Sequence, residues 1–304
     1  MTPVGGPSGR RKRLGGSLGE RAMLLALAAA AIISILVTVG IVVVLVGEGA
    51  TFFTEVPLKE FFTGTEWFPV EGKYGVLPLL NASIVIALIA AVVAVPLGLG
   101  SAIYLSEYAP ERLRRIVKPV LEVLAGMPTI VLGFFALDAV TPALQNVIPG
   151  LGLYNALAAG IVVGLLITPL ISSLSEDSMR AVPNAMREGA FGLGATRRVV
   201  SLKVVVPAAL SGIVASIVLA LSRAIGETMA VTLAAGTVPN LSWNPLEGMQ
   251  TITAYIVQVS KGEASRGSLQ YESIFAVGLL LFVVTLAINI IAVRIVRKYR
   301  TVYQ

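Results

Sequence analysis

Apolar residues in this chain gather into long runs divided by short polar stretches. The runs extend from Ala22 to Val46, about Leu77 to Leu105, roughly Val117 to Ala143, about Tyr154 to Leu174, about Val205 to Ala235, and about Ser273 to Ile295. Each holds about 20 residues or more, the length a helix needs to cross a hydrocarbon layer about 30 Å thick. Ten-residue segments of alternating polarity, the mark of a barrel strand, do not recur. The pattern therefore predicts an all-α polytopic membrane protein with six transmembrane helices. The first run is longer than a signal-peptide apolar region and has no convincing small-residue cleavage site after it, so it is expected to remain as a span.

The polar stretches complete the predicted order. Residues 1–21 form a basic tail, 22–46 the first helix and 47–76 an external loop with five Glu, two Lys and several aromatics. Residues 77–296 form a five-helix core containing a cytoplasmic loop at 175–204 and an external loop at 236–272, and 297–304 form a second tail. Pro96, Gly98 and Gly100 are positions where the second span can bend, and Met127-Pro128 interrupts the third. Gly126 and Pro128 either expose backbone donors to an anion or simply kink the helix.

Composition narrows the chemistry. The 304 residues are 56% hydrophobic and 13% charged, with a mean hydropathy of +0.87, against about 25% charged residues in an ordinary soluble domain. There is no Cys and no His. That removes disulfides, thiolate nucleophiles, the usual haem ligands and the usual zinc sites, and leaves no nucleophile–base pair for an intramembrane enzyme. No catalytic residue, no metal site and no cofactor are expected in this chain.

The net charge of +6 is positional. Eighteen of the 23 Lys and Arg fall in segments on one side of the predicted spans, four on the other, and Arg223 lies inside a span. An asymmetry of that size marks the basic side as cytoplasmic. Both termini are then inside a multi-pass protein of the cell (inner) membrane, with lipid as its solvent. The basic residues form no patch interleaved with aromatics, so nucleic acid is not an expected partner.

Two polar features stand out. The first is "EGAFGLGATRRVVSLKVVVP", residues 188–207. Pro183 can open a helix that runs through "NAMREGAFGL", and Gly194 can end it in the left-handed conformation. Val199, Val200, Leu202 and Val204 then alternate with Arg197, Arg198 and Lys203, which suits a helix at the interface before the chain enters the membrane near Pro207. An amphipathic connector and a docking element both fit.

The second feature is "SRAIGETMAV", residues 222–231, where Arg223 and Glu227 sit among apolar residues of the fifth span. A charge at the bilayer centre costs at least about 2.5–3.5 kcal/mol, so the two need partners or water. On a continuous helix the i to i+4 spacing puts both on one face, where they can pair. The pair is either an internal strut or part of a pathway, where a guanidinium offers planar donors matched to a tetrahedral oxyanion. A carboxylate beside it could accept a hydrogen bond from protonated phosphate, which ionised sulfate cannot donate. Ser222, Thr228, Asn81, Thr129 and Asp138 are further candidates for polar groups along such a pathway, although polar residues of this size also hold helices together.

The loop resembles that of binding-protein-dependent ABC importer permeases, which begins Glu-Ala-Ala, has Gly six positions after the Glu, and ends in an apolar residue, one spacer, Leu and Pro. Here those positions are Glu188, Gly189, Ala190, Gly194, Val204, Val206 and Pro207, with Gly189 in place of the first Ala and Val206 in place of Leu. "SRAIGETMAV", "LEVLAGMPTIVLGFF" and "VPLGLGSAIYLSEYAPERLRRIVKPVLE" narrow the resemblance to the phosphate-specific importer permeases, and the Met-Ala-Val after Gly-Glu-Thr with the aromatic loop "TEWFPVEGKYGVLPLL" resembles their PstC type. The resemblance implies a type I (MetI-like) permease core and import of inorganic phosphate. Its implied partners are a second homologous permease (PstA-like), an ATPase dimer (PstB-like) docked on the loop around Glu188, and an external phosphate-binding protein. Arg223 and Glu227 match the Arg and Glu regarded as functional in that family. No GxxxxGK[ST] phosphate loop is present, so ATP and Mg would be used by the partner ATPase. A PstA-like role, another oxyanion such as sulfate or molybdate, and an ATP-independent anion channel are the alternatives.

Overall fold

The computed structural model describes residues 18–299. It begins with α1 (Leu18–Glu55) and α2 (Leu58–Thr63), then a small antiparallel hairpin of β1 (Trp67–Phe68) and β2 (Lys73–Tyr74). Next come α3 (Leu77–Ile103), α4 (Glu111–Ala125), α5 (Thr129–Phe135), α6 (Thr141–Gln145) and α7 (Ala156–Arg180). The loop expected to be cytoplasmic and the residues after it form α8 (Asn184–Gly192), α9 (Arg197–Val200) and α10 (Val206–Ala208). The chain ends with α11 (Leu210–Ile225), α12 (Met229–Ala234), α13 (Ile252–Gln258) and α14 (Leu269–Tyr299). Most of the basic tail, including Arg10, Arg11, Lys12 and Arg13, lies outside the described residues.

Among the described residues, four helices are long and apolar enough to cross a membrane, Gly19–Glu55, Leu77–Tyr108, Ala156–Arg180 and Leu269–Val296. Two further crossings exist only if bent pairs are each counted as one: Glu111–Ala125 with Thr129–Gln145, bent by 88°, and Arg197–Ala208 with Leu210–Ile225, bent by 70°. The expected six spans, the third of them interrupted at Met127-Pro128, are reached only on that count. The third span turns at Gly126-Met127-Pro128, because Pro128 has no N–H to offer the helix and its ring disfavours helical geometry at Met127. Before that turn α4 has no buried residue, and Ile116, Val120 and Val123 share it with Arg112, Arg115 and Lys118. Such a mixed face suits the membrane interface. Pro96, by contrast, is held inside an unbroken α3.

The core forms where α3 and α7 lie side by side, joined by α11 and α12. Close approach comes from Gly160 and Gly164, a small-xxx-small pair on α7. A Cβ on Gly160 would stand 2.5 Å from the Ile89 Cβ, and one on Gly164 would stand 2.8 Å from the Val93 Cβ. At the end of the helices expected to be external, Phe52, Phe61, Trp67 and Tyr74 pack edge to face, and Trp67 meets Tyr255 of α13 with ring centroids 5.0 Å apart. The loop expected over 47–76 is thus largely folded. The apolar length of α1 is bare within this chain, none of its most apolar window being buried.

The start of α7 is buried, and its first N–H groups need acceptors. Asn155 Oδ1 accepts from Ala158 N at 2.7 Å, while the carbonyls of Glu247 and Pro245 accept from Ala156 N at 3.0 Å and Leu157 N at 2.8 Å. The loop carrying those carbonyls is braced by its own acid: Asn240 and Asn244 donate amide hydrogens to the Glu247 carboxylate at 2.8 and 2.9 Å. These bonds, with one from Ser242, hold the Glu247 carboxyl below the usual range.

Two outcomes follow from this packing. Gly160→Leu lowers stability by about 1–3 kcal/mol through overpacking, read as a lower thermal midpoint in detergent. Gly40→Leu, at a site with nothing within 4 Å, leaves the midpoint in place. Because the folded Glu247 carboxyl is depressed, its contribution is full above the unfolded value of about 4.3 and is lost as pH falls through the folded value. Hydrogen exchange of amides 236–251, corrected for intrinsic rate, therefore accelerates in acid relative to α7, and Glu247→Gln removes the acid dependence.

Candidate functional site

The fifth span does not carry Arg223 and Glu227 on one continuous helix. α11 ends at Ile225, Gly226 closes the turn, Glu227 and Thr228 are non-helical, and α12 starts at Met229. The four-residue spacing brings two side chains onto one face only while the helical rotation continues. Interruption at Gly226, the residue with the weakest helix propensity after Pro, separates them. Among the described residues no ion pair joins Arg223 to Glu227. The expected i to i+4 pairing is corrected on that ground.

Their environments differ. Arg223 is exposed in the last turn of α11, where a cation complements the helix carbonyl end, and it makes no hydrogen bond or ion pair within the described residues. Glu227 is 8% exposed and is tied into the break. Its Oε1 accepts a long 3.4 Å hydrogen bond from Ala230 N, and its carbonyl accepts one from Thr253 Oγ1 at 2.7 Å. Thr253 meets Thr251 at 3.0 Å, Thr251 caps α13 through Ala254 N at 3.2 Å, and Ile252 N donates to Ser83 Oγ at 3.3 Å. The free backbone groups of two interrupted helices are thereby met by hydroxyls of α3 and α13.

The other predicted groups are spread out. Ser222 Oγ donates to Asn289 Oδ1 on α14 at 3.1 Å, and Thr228 Oγ1 donates to the Gly226 carbonyl at 3.1 Å. Thr129 is half-buried at the first residue of α5, and Asp138 is exposed in the π-turn Ala136–Val140. Asn81 is buried on α3, and neither end of its amide meets a protein partner. No hydrogen bond or ion pair joins Asn81, Thr129 or Asp138 to Arg223 or Glu227 among the described residues. Sequence reasoning missed Asn289, whose signal is a lone amide in the sixth apolar run, and the buried Ser175–Ser216 contact at 2.7 Å between α7 and α11.

The loop between α7 and α11 matches its expected outline. α8 follows Pro183, and Gly194 stands at φ 82°. Glu188 and Gly189 point into solvent, Ala190 is half-buried, and Pro207 is exposed in the first turn of α10. Phe191 and Leu193 are 46% and 91% exposed, leaving apolar surface on the outer side of a short helix. Behind it, Glu176 is fully buried at the end of α7, where Arg114 Nε donates to it at 2.6 Å and Lys118 Nζ lies 2.9 Å away as its second cation. Buried charge is tolerated there because two partners meet it.

Residues 94–301 match the family described as the binding-protein-dependent transport system inner membrane component. The chain belongs to this family. Within it, the chain is 39% identical over 253 residues to the phosphate transport system permease protein PstC of Xylella fastidiosa (strain 9a5c), covering 76% of each chain. It is 36% identical over 262 residues to the probable ABC transporter permease protein YqgH of Bacillus subtilis (strain 168), covering 84% of each. Among solved structures, a chain of the inward-facing MetNI methionine ABC transporter superposes with a TM-score of 0.56 at 20% identity, over 78% of this chain and 99% of that one. A chain of a bacterial ABC transporter that imports alginate gives 0.59 at 16% identity, over 91% and 95%. These likenesses establish the MetI-like permease fold for this family member, a multi-pass membrane component of a transport system.

An unpartnered amide in a buried site weakens a fold unless it serves something else. Asn81→Leu is therefore expected to hold or raise the thermal midpoint while lowering transport. A variant that transports at the parent rate would take Asn81 out of the pathway.

Proposed function

We propose that this chain is the PstC-type permease subunit of an ATP-driven importer of inorganic phosphate. The observation that carries the reading is Arg223, a guanidinium exposed within a span and without a hydrogen-bond or ion-pair partner among the described residues. Left facing lipid, it would cost at least about 2.5–3.5 kcal/mol, so its face meets water, substrate or a second subunit. The relatives named PstC, 39% identical in one case, support phosphate as the anion. A second, PstA-like permease completes the pathway across that face.

In this reading the external binding protein delivers phosphate, and a PstB-like ATPase dimer grips α8 and its counterpart. ATP and Mg are used there, not in this chain. Closure of the dimer switches access from one side of the membrane to the other, and both termini are cytoplasmic. Arg223 supplies a bidentate contact to two phosphate oxygens. Glu227, set back at the helix break, accepts a hydrogen bond from the hydroxyl that a protonated phosphate carries and ionised sulfate lacks. Because Glu227 is not paired with Arg223, no internal bond has to break before the anion binds.

Arg223→Gln is expected to lower ATP-dependent phosphate uptake by the reconstituted complex by at least about tenfold, a loss of about 1.4 kcal/mol, with normal assembly. Full uptake with normal assembly would remove the role. Glu227→Gln is expected to narrow the preference for phosphate over sulfate in competition uptake; an unchanged preference removes Glu227 from selectivity. Phosphate flux that needs no ATP would mark a channel instead.

A further inference from the structure

We propose that Arg187 is the positioning residue that makes α8 one rigid piece with the cytoplasmic ends of α3 and α7, so that a push on α8 moves both spans. The proposal rests on the reading of α8 as the seat of the ATPase and adds the joint through which its motion passes. Arg187 stands where three elements meet. Its Nη1 donates to the Val182 carbonyl at 2.6 Å and, at 3.4 Å, to Asn184 Oδ1. Its Nη2 donates to the Met179 carbonyl at 2.8 Å and to Glu107 Oε1 at 3.0 Å. Both carbonyls lie at the end of α7 or just past it, where helical donors run out; the Met179 carbonyl also accepts from Val182 N at 3.2 Å. Glu107 belongs to the π-turn Tyr104–Tyr108 that ends the α3 span, and its Oε1 also accepts from Ser106 Oγ at 2.9 Å.

The pair is shielded, with side chains 15% and 7% exposed. Removing one partner leaves the other largely buried charge without its counter-charge, although Arg187 keeps its carbonyls and Glu107 keeps Ser106. The planar fork makes four bonds, to two carbonyls, the Asn184 amide oxygen and a carboxylate, whereas an ammonium has three donors at a single point. The outer side of the same helix is differently built, since Glu188, Phe191 and Leu193 are exposed. Beneath α8, Met186 and Ala190 rest on an apolar seat of Ala102, Met179, Val182 and Val200. That seat keeps α8 attached without fixing its angle. Losing Arg187 therefore leaves the docking surface in place and lets α8 swivel on its seat.

The test uses the whole complex in proteoliposomes, with companion permease, ATPase and binding protein, and measures ATP hydrolysed per phosphate taken up. In Arg187→Gln the ATPase still co-purifies and hydrolyses ATP, while the ratio rises by at least about tenfold, within the range of ordinary coupling energies. Arg187→Lys gives an intermediate rise, and Glu107→Gln a smaller rise in the same direction. A parent-like ratio in an assembled Arg187→Gln complex overturns the proposal, as does a parallel fall of hydrolysis and uptake at constant ratio. If Arg187→Gln does not assemble, Arg187→Lys and Glu107→Gln decide, and parent-like ratios in both overturn it. Failure of the functional reading shows separately, in the parent complex: no ATP-dependent uptake of any oxyanion refutes the importer, and uptake of a different oxyanion corrects the substrate while the ratio is measured with that ion.

Discussion

A hydrocarbon layer offers no hydrogen bonds, so every backbone group and charge placed at membrane depth must find its partner within the protein or along a wet cavity. The architecture follows from how this chain meets that condition. Its long helices satisfy themselves. Its interrupted ones, at residues 126–128 and 226–228, occur beside other helices that supply hydroxyls, carbonyls or packing. The loop between α12 and α13 shows the same economy, since its carbonyls complete the first turn of α7. Arg223 is a charge in a span for which the described residues provide no partner, as they provide none for the Asn81 amide, and the functional reading turns on Arg223.

Much of the fold was legible in the sequence because length and apolarity are local properties. The four unbroken spans, the helix at Asn184–Gly192 and the left-handed Gly194 all announced themselves within a few residues. The bends were less legible. Met127-Pro128 showed where the third span would yield, but an 88° turn depends on α4 being amphipathic along its length, which an apolar run running through Val117 obscured. "SRAIGETMAV" was harder still. The i to i+4 geometry presumes the helix whose existence is in question, and Gly226 is equally compatible with a helix that continues.

The side-chain networks were hidden for a different reason. Glu107 and Arg187 are 80 residues apart, and Arg114 and Glu176 are 62 apart. Nothing in either local segment marks its member as one half of a buried pair. Arg180, Arg187 and Arg197 look alike as basic residues of one loop and its flanks, yet among the described residues only Arg187 of the three folds back onto a carboxylate. Orientation signals and structural ions are written with the same letters, and only packing tells them apart.

The two ends of α1 live under different rules. Near Phe52 and Val56 it is clasped by rings and by α14, while the stretch before it touches almost nothing in this chain. Substitutions in the bare stretch are judged by a fluid, which asks for greasiness and length and is indifferent to shape. Substitutions in α7 are judged by a solid, where a single methyl group is too much. One polypeptide thus carries two alphabets: a coarse one in which Leu, Ile and Val are synonyms, and a fine one in which Gly and Ala are different words.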